Sequence, residues 1–144
     1  MTDWDALLLK IPPMMISFTP RRDSQTAVVY MQMDLWETVQ EGMESLRYKR
    51  KDLDMEFLDD DIIRTLMQPL TIQNLRTQRY NNFDFRIFDY QTDNNGKSEI
   101  LFNYTTAMTL KNGYLHMFQL SSPSSLPQYI QDFEELLKSV IFIK

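Results

Sequence analysis

Two Asn-Gly dipeptides, Asn95-Gly96 and Asn112-Gly113, each stand between segments in which apolar and polar residues alternate. No other feature constrains the chain as much. A two-residue turn with positive φ at both central positions joins antiparallel strands and sets their pairing. Strands are therefore expected over 83–90, 99–110 and 114–120, joined as a meander. With two-residue turns at both sites, Lys111 opposes Tyr114 and Asn94 opposes Lys97. Alternation then places Ile100, Phe102, Tyr104, Met108, Leu115 and Met117 on one face. Phe88, Tyr90, Leu101, Ala107, Tyr114, His116 and Phe118 fall on the other. Both faces are largely apolar, and a shift of one residue would exchange these sets.

Helix signals flank this meander. Asp34 followed by Glu37 reads as a capping box. Trp36, Val39, Met43 and Leu46 recur at three- and four-residue steps, which predicts a helix near 35–50. Ser125 and Gln128 form a second capping box around Pro127, opening an amphipathic helix near 126–140. Trp36, Val39, Met43, Ile130, Phe133 and Leu137 are expected to pack on the sheet.

Elsewhere the signals are local. The apolar run 7–18, broken by Pro12-Pro13, suits an edge strand or strand-like arm, and 26–33 reads as a strand. Leu53, Met55 and Phe57 alternate like a half-exposed strand. Asp59-Asp60-Asp61 caps a short helix carrying Ile62, Ile63, Leu66 and Met67, stopped by Pro69. Leu70 and Ile72 return to extended structure, and Ile141-Phe142-Ile143 reads as a short terminal strand. The expectation is one α+β domain: an antiparallel sheet with these two helices packed on it.

Composition removes several functions. The chain of 144 residues has a formal net charge of −5, so phosphate backbones repel it unless a basic patch intervenes. The densest basic run, Arg47-Tyr48-Lys49-Arg50-Lys51, follows a segment carrying Glu37, Glu41 and Glu44, the order a helix dipole favours. No nucleic-acid partner is expected. Cysteine is absent, which removes disulfides, thiolate nucleophiles and cysteine-based metal sites. The glycines Gly42, Gly96 and Gly113 form neither a GxGxxG nor a phosphate loop. His116 has no second histidine beside it, and no nucleophile elbow is visible. The three aspartates lack the alternating ligands of a calcium loop. Neither a catalytic residue, a metal nor a cofactor is expected.

The amino terminus is acidic, and its run Ala6-Leu7-Leu8-Leu9 stops at Lys10 and Pro12-Pro13, too short for a secretion leader. No stretch reaches the length of a membrane span. These features predict a cytoplasmic protein without stable membrane insertion. Ten methionines and many aromatics are the positive signal, since methionine suits both irregular cores and accommodating binding surfaces.

From about residue 83 onward the chain resembles the PsbP-like superfamily, including its DcrB-like branch. The resemblance lies in the turn Lys111-Asn112-Gly113 with Tyr114-Leu115-His116-Met117-Phe118. It continues through a Ser-Pro loop into Gln128-Tyr129-Ile130-Gln131-Asp132-Phe133-Glu134-Glu135-Leu136-Leu137, ending Lys138-Ser139-Val140-Ile141-Phe142. Earlier residues match in element order alone. The resemblance implies a binding fold with no catalytic residues to carry over. In size, acidity and lack of a leader the chain is most similar to the Eag chaperones, which shelter apolar segments of secreted effectors. It implies an adaptor or chaperone for an apolar segment of a protein partner, acting as a homodimer. Phe88, Tyr90, Leu101, Tyr114, His116 and Phe118 are the expected partner-binding residues, on the face left for a partner. The alternatives are a toxin-immunity inhibitor using its acidic surface and a small-molecule hydrolase built on His116.

Overall fold

The computed structural model describes residues 4–9, 14–20, 25–93, 101–123 and 127–140, with side chains from Phe18 onward except those of Asp93 and Leu101. The strands are β1 (Trp4–Leu9), β2 (Met14–Pro20), β3 (Ala27–Asp34), β4 (Gln73–Tyr80), β5 (Phe83–Asp93), β6 (Leu101–Lys111) and β7 (Tyr114–Ser122). The helices are α1 (Leu35–Ser45), α2 (Asp60–Leu66) and α3 (Pro127–Lys138), with 3₁₀ turns at Arg50–Asp52 and Met55–Phe57. The strands form one sheet in the order β1-β2-β3-β7-β6-β5-β4. Every neighbouring pair is antiparallel. The architecture is α+β, as expected.

The Asn112-Gly113 turn pairs Lys111 with Tyr114 as the sequence requires. Asn112 and Gly113 have φ of 51° and 80°. Glycine is needed here for space as well, because a Cβ at 113 would lie 2.6 Å from the Trp36 Cβ. The Gly113 N–H donates to the Leu53 carbonyl, and the Gly113 carbonyl accepts from the Trp36 N–H, both at 3.0 Å. The turn thus fastens β6 and β7 to the start of α1 and to the segment after it.

The pairing of β5 with β6 departs from expectation. Asp93 opposes Leu101, where an Asn94–Lys97 pair would set it against Ser98. The offset is odd, so β5 presents the opposite set of side chains to each face. Asn95-Gly96 itself lies outside the described residues.

The helix expected near 35–50 stops at Ser45. Its start is as read, with the Glu37 N–H donating to Asp34 Oδ1 at 3.1 Å. It ends in a Schellman arrangement, with Arg47 at φ 66°. The N–H groups of Tyr48 and Arg47 donate to the Met43 and Glu44 carbonyls at 2.9 Å. The reversal brings Arg50 back to Asp34, where its guanidinium donates to both carboxylate oxygens at 3.0 and 2.9 Å. Arg50 also lies 4.8 Å from the centre of the Tyr114 ring. A longer helix would carry Arg50 away from this pair, and Leu46 is left 67% exposed.

Leu53, Met55 and Phe57 form no strand. The 3₁₀ turns that replace it bury Leu53 and Leu58. Asp59 caps α2 as expected, accepting from the Ile62 N–H at 2.9 Å. Arg86 on the sheet bonds Asp60 and, at 2.8 Å, Thr77 Oγ1, tying α2 to β4 and β5. Strand β4 escaped sequence reading because it is a polar edge with only Leu75 and Tyr80 half-buried. It joins β5 through Asn81-Asn82, both at positive φ, with Tyr80 opposite Phe83.

Each face of the sheet has its own cover. The segment from α1 to α2 packs Trp36, Leu53, Leu58 and Ile63 on Phe88, Tyr90, Met108, Leu110 and Leu115. Val39 and Met43 are partly buried against the same cluster. On the other face, α3 packs Phe133 and Leu137 on Val28, Phe85, Ile87, Ala107, Phe118 and Leu120. Ile130 is 42% exposed, not buried; beside Leu120, the sheet near the first turn of α3 carries the polar residues Asp89, Gln91, Asn103 and Thr105. The cap at Ser125 and the strand expected over 141–143 lie outside the described residues.

Phe133→Ala is expected to cost about 3–5 kcal/mol, the range for emptying an aromatic core site. Gly113→Ala is expected to cost about 1–3 kcal/mol through backbone strain alone, with the Trp36 overlap added. Urea denaturation of both variants measures this, and wild-type midpoints would contradict it.

Candidate protein-binding surface

The six residues expected to bind a partner do not share a face. Phe88 opposes Thr106, and Tyr90 opposes Tyr104, which puts both on the face beneath α1 and α2. They are buried there. Tyr90 stacks on Tyr104 with centroids 4.6 Å apart. Its hydroxyl accepts from Gln119 Nε2 at 2.6 Å, and the same amide donates to Thr106 Oγ1 at 3.1 Å. Tyr114, His116 and Phe118 lie on the opposite, α3 face, where Phe118 opposes Ala107 and His116 opposes Thr109. Phe118 is core, 4.8 Å from Tyr30 and 6.2 Å from Phe85 between ring centres. Tyr114 is 37% exposed beneath Arg50. Leu101 opens β6 opposite Asp93, and its side chain lies outside the description. The odd offset between β5 and β6 divided the set.

His116 is buried between strands. Its Nδ1 lies 2.7 Å from the Tyr30 hydroxyl, and the two rings stack with centroids 6.1 Å apart. Burial, with a smaller contribution from Lys111, lowers its pKa to about 4. Burial likewise raises the Tyr30 hydroxyl. At neutral pH this is a pair of uncharged groups. Among the described residues, no three His, Asp or Glu side chains are grouped to hold a metal ion.

A different surface emerges on the α1/α2 face, where the register aligns methionines across four neighbouring strands. Met15 of β2 opposes Met31 of β3, Met31 opposes Met117 of β7, and Met117 opposes Met108 of β6. Leu9 of β1 opposes Met15 and extends the row to the sheet edge. Met108 is fully buried beneath the helices, whereas Met117 and Met31 are half-buried. Two positions along β3, Met33 is 36% exposed, and Val29 is half-buried. No described β3 residue on this face belongs to the cluster beneath α1 and α2. Among the described residues, the helix layer covers β5, β6 and β7 and stops short of β3. The same strand's other face contributes Val28 and Tyr30 to the α3 core. Among the described residues, no helix packs on the α1/α2 side of β3, whose face there carries Val29, Met31 and Met33. Sequence reading noted the methionines, but aligning them required the register of strands far apart in the chain.

The two edges of the sheet differ. β4 carries Arg76 and Arg79, paired to Asp89 and Asp84, with an irregular register between Gln73 and Arg76. Charges and irregularity are how edges resist pairing. β1, Trp-Asp-Ala-Leu-Leu-Leu, carries one charge. Among the described residues, no helix is long and apolar enough to cross a membrane. A scan against protein-family models and a search of curated proteins find nothing that matches this chain.

His116 is expected to remain neutral as pH falls until about 4. Its folded pKa lies below the unfolded value of about 6.5, so the folded state binds fewer protons between those values. Its contribution to stability is complete above about 6.5 and is lost as pH falls toward 4. Following the imidazole resonances by NMR tests this, and a native histidine titrating above pH 6 would contradict it.

Proposed function

We propose that this protein is a non-enzymatic binding module, an adaptor or chaperone that shelters an apolar segment of a protein partner on the β1–β3 wing. The observation that carries this reading is the methionine row running out from beneath the helices to half-buried Met31, with Met33 exposed further along the same strand. Unbranched, polarizable thioethers repack around apolar partners of different shape, which a surface for unfolded or membrane-bound segments requires. A secreted effector held in the cytoplasm before export is the partner class that fits the resemblance of the C-terminal part of the chain.

The working unit in this reading is a homodimer joined at β1. An open, largely apolar edge pairs readily with another strand, and antiparallel pairing of β1 with its own copy is compatible with two-fold symmetry. The joined sheets would place two methionine wings on one continuous face. Sedimentation tests the dimer: Leu7→Lys is expected to yield monomer where the wild type is dimeric. A monomeric wild type would end this part of the reading.

Affinity purification from the native host tests the sheltering function. Met33→Glu, at the exposed methionine of β3, is expected to lose the co-purifying partner with a melting temperature within a few degrees of wild type, the effect usual for a surface charge. Leu46→Glu, at an exposed apolar site outside the wing, is expected to retain it. Equal recovery with wild type and Met33→Glu would refute the assignment of the wing.

A further inference from the structure

The α3 face changes character along the helix. Phe133 and Leu137 stand on an apolar floor, but the rows beneath the first turn are Asp89–Thr105–Leu120 and Gln91–Asn103–Ser122, polar except at Leu120. A cleft of about 270 Å³ opens there, walled by Tyr129 and Ile130. An apolar floor would bury Ile130, which instead stands exposed at the cleft.

We propose that this cleft binds one neutral sugar ring. Its volume lies just below the usual span for drug-sized ligands, so a single ring is the size it admits. Asp89 is the one acid among the described lining residues. It accepts from Thr105 Oγ1 at 2.9 Å and Asn74 Nδ2 at 3.2 Å, and it pairs with Arg76 at 3.4 Å. That pairing balances the local charge and favours neither an anion nor a cation. Gln91 Nε2 donates to Asn103 Oδ1 at 2.6 Å. The pair keeps an acceptor, the Gln91 carbonyl, and a donor, the Asn103 amino group. Hydroxyls donate and accept at once, so adjacent sugar hydroxyls match this alternation. Tyr129 and Ile130 supply apolar surface for the C–H side of the ring. Recognition of this kind is independent of the methionine wing on the opposite face.

The test is a two-dimensional NMR titration of the whole protein with methyl β-glucoside, beside acetate and tetramethylammonium as ionic probes. Saturable shifts at Gln91, Asn103 and Tyr129 with the glucoside alone are expected. The double variant Gln91→Leu/Asn103→Leu is expected to weaken the glucoside at least about tenfold, near 1.4 kcal/mol. Leu46→Glu, at an exposed site outside both the cleft and the wing, is expected to leave it unchanged. Absence of saturable shifts in the wild type would overturn the proposal whatever the variants do. Stronger binding of either ion, or glucoside shifts unaltered in a folded double variant, would overturn it equally.

Discussion

The contact on which the rest of the structure depends is the Asn112-Gly113 turn seated against the start of α1. Gly113 gives its N–H to Leu53 and its carbonyl to Trp36, and the Trp36 Cβ occupies the space a side chain at 113 would need. Next to it, Asp34 caps α1 and holds Arg50, whose guanidinium lies over Tyr114. Arg50 is the leading cause of the lowered Asp34 pKa, through their hydrogen bond. One node thereby sets the register of β6 against β7, the position of α1 and the return of the chain after it. Because register parity decides which face each side chain occupies, this node also settles what the helices cover.

The sheet is wider than its helix layers. On the α3 side the apolar cluster reaches β3 through Val28 and Tyr30 and includes Phe18 of β2. On the other side, the α1–α2 layer ends over β7, leaving Val29, Met31 and Met33 outside its core. Among the described residues, the two sides of the sheet are therefore covered unevenly. The uncovered part is where methionines align. Half-exposed apolar surface on an ordered sheet costs solvation free energy in the isolated molecule, and burial against a partner recovers it. The physical case for binding at this wing therefore rests on incomplete coverage more than on any single residue.

Polar groups inside the fold are paired in ways that stiffen it. Tyr90, Thr106 and Gln119 form a network at the border between the covered core and the wing. Thr26 and Ser122 share a hydrogen bond of 2.7 Å in a buried position. Tyr30 and His116 share one of equal length, half-buried, between β3 and β7. Such pairs add little net free energy but make wrong registers costly, since a slipped strand would leave each group buried and unsatisfied.

The sequence by itself determined the features that act over a few residues. The β6–β7 turn, the caps at Asp34 and Asp59, the core positions of Phe133 and Leu137 and the antiparallel α+β class were all legible, because turn φ, capping and periodicity are local physics. It did not determine where α1 stops, since that depends on Arg50 meeting Asp34 across a reversed chain. Nor did it reveal β4, a polar edge with no buried stripe to show. The six residues expected to bind a partner were assigned to a single face, and the structure divides them for one reason: an odd register offset between β5 and β6 moved Phe88 and Tyr90 away from His116 and Phe118. Only the tertiary structure decided that offset, the alignment of Met15, Met31, Met117 and Met108, and the limit of the helix layer. Pairing between strands distant in sequence is a property of the whole sheet, and no local signal carries it.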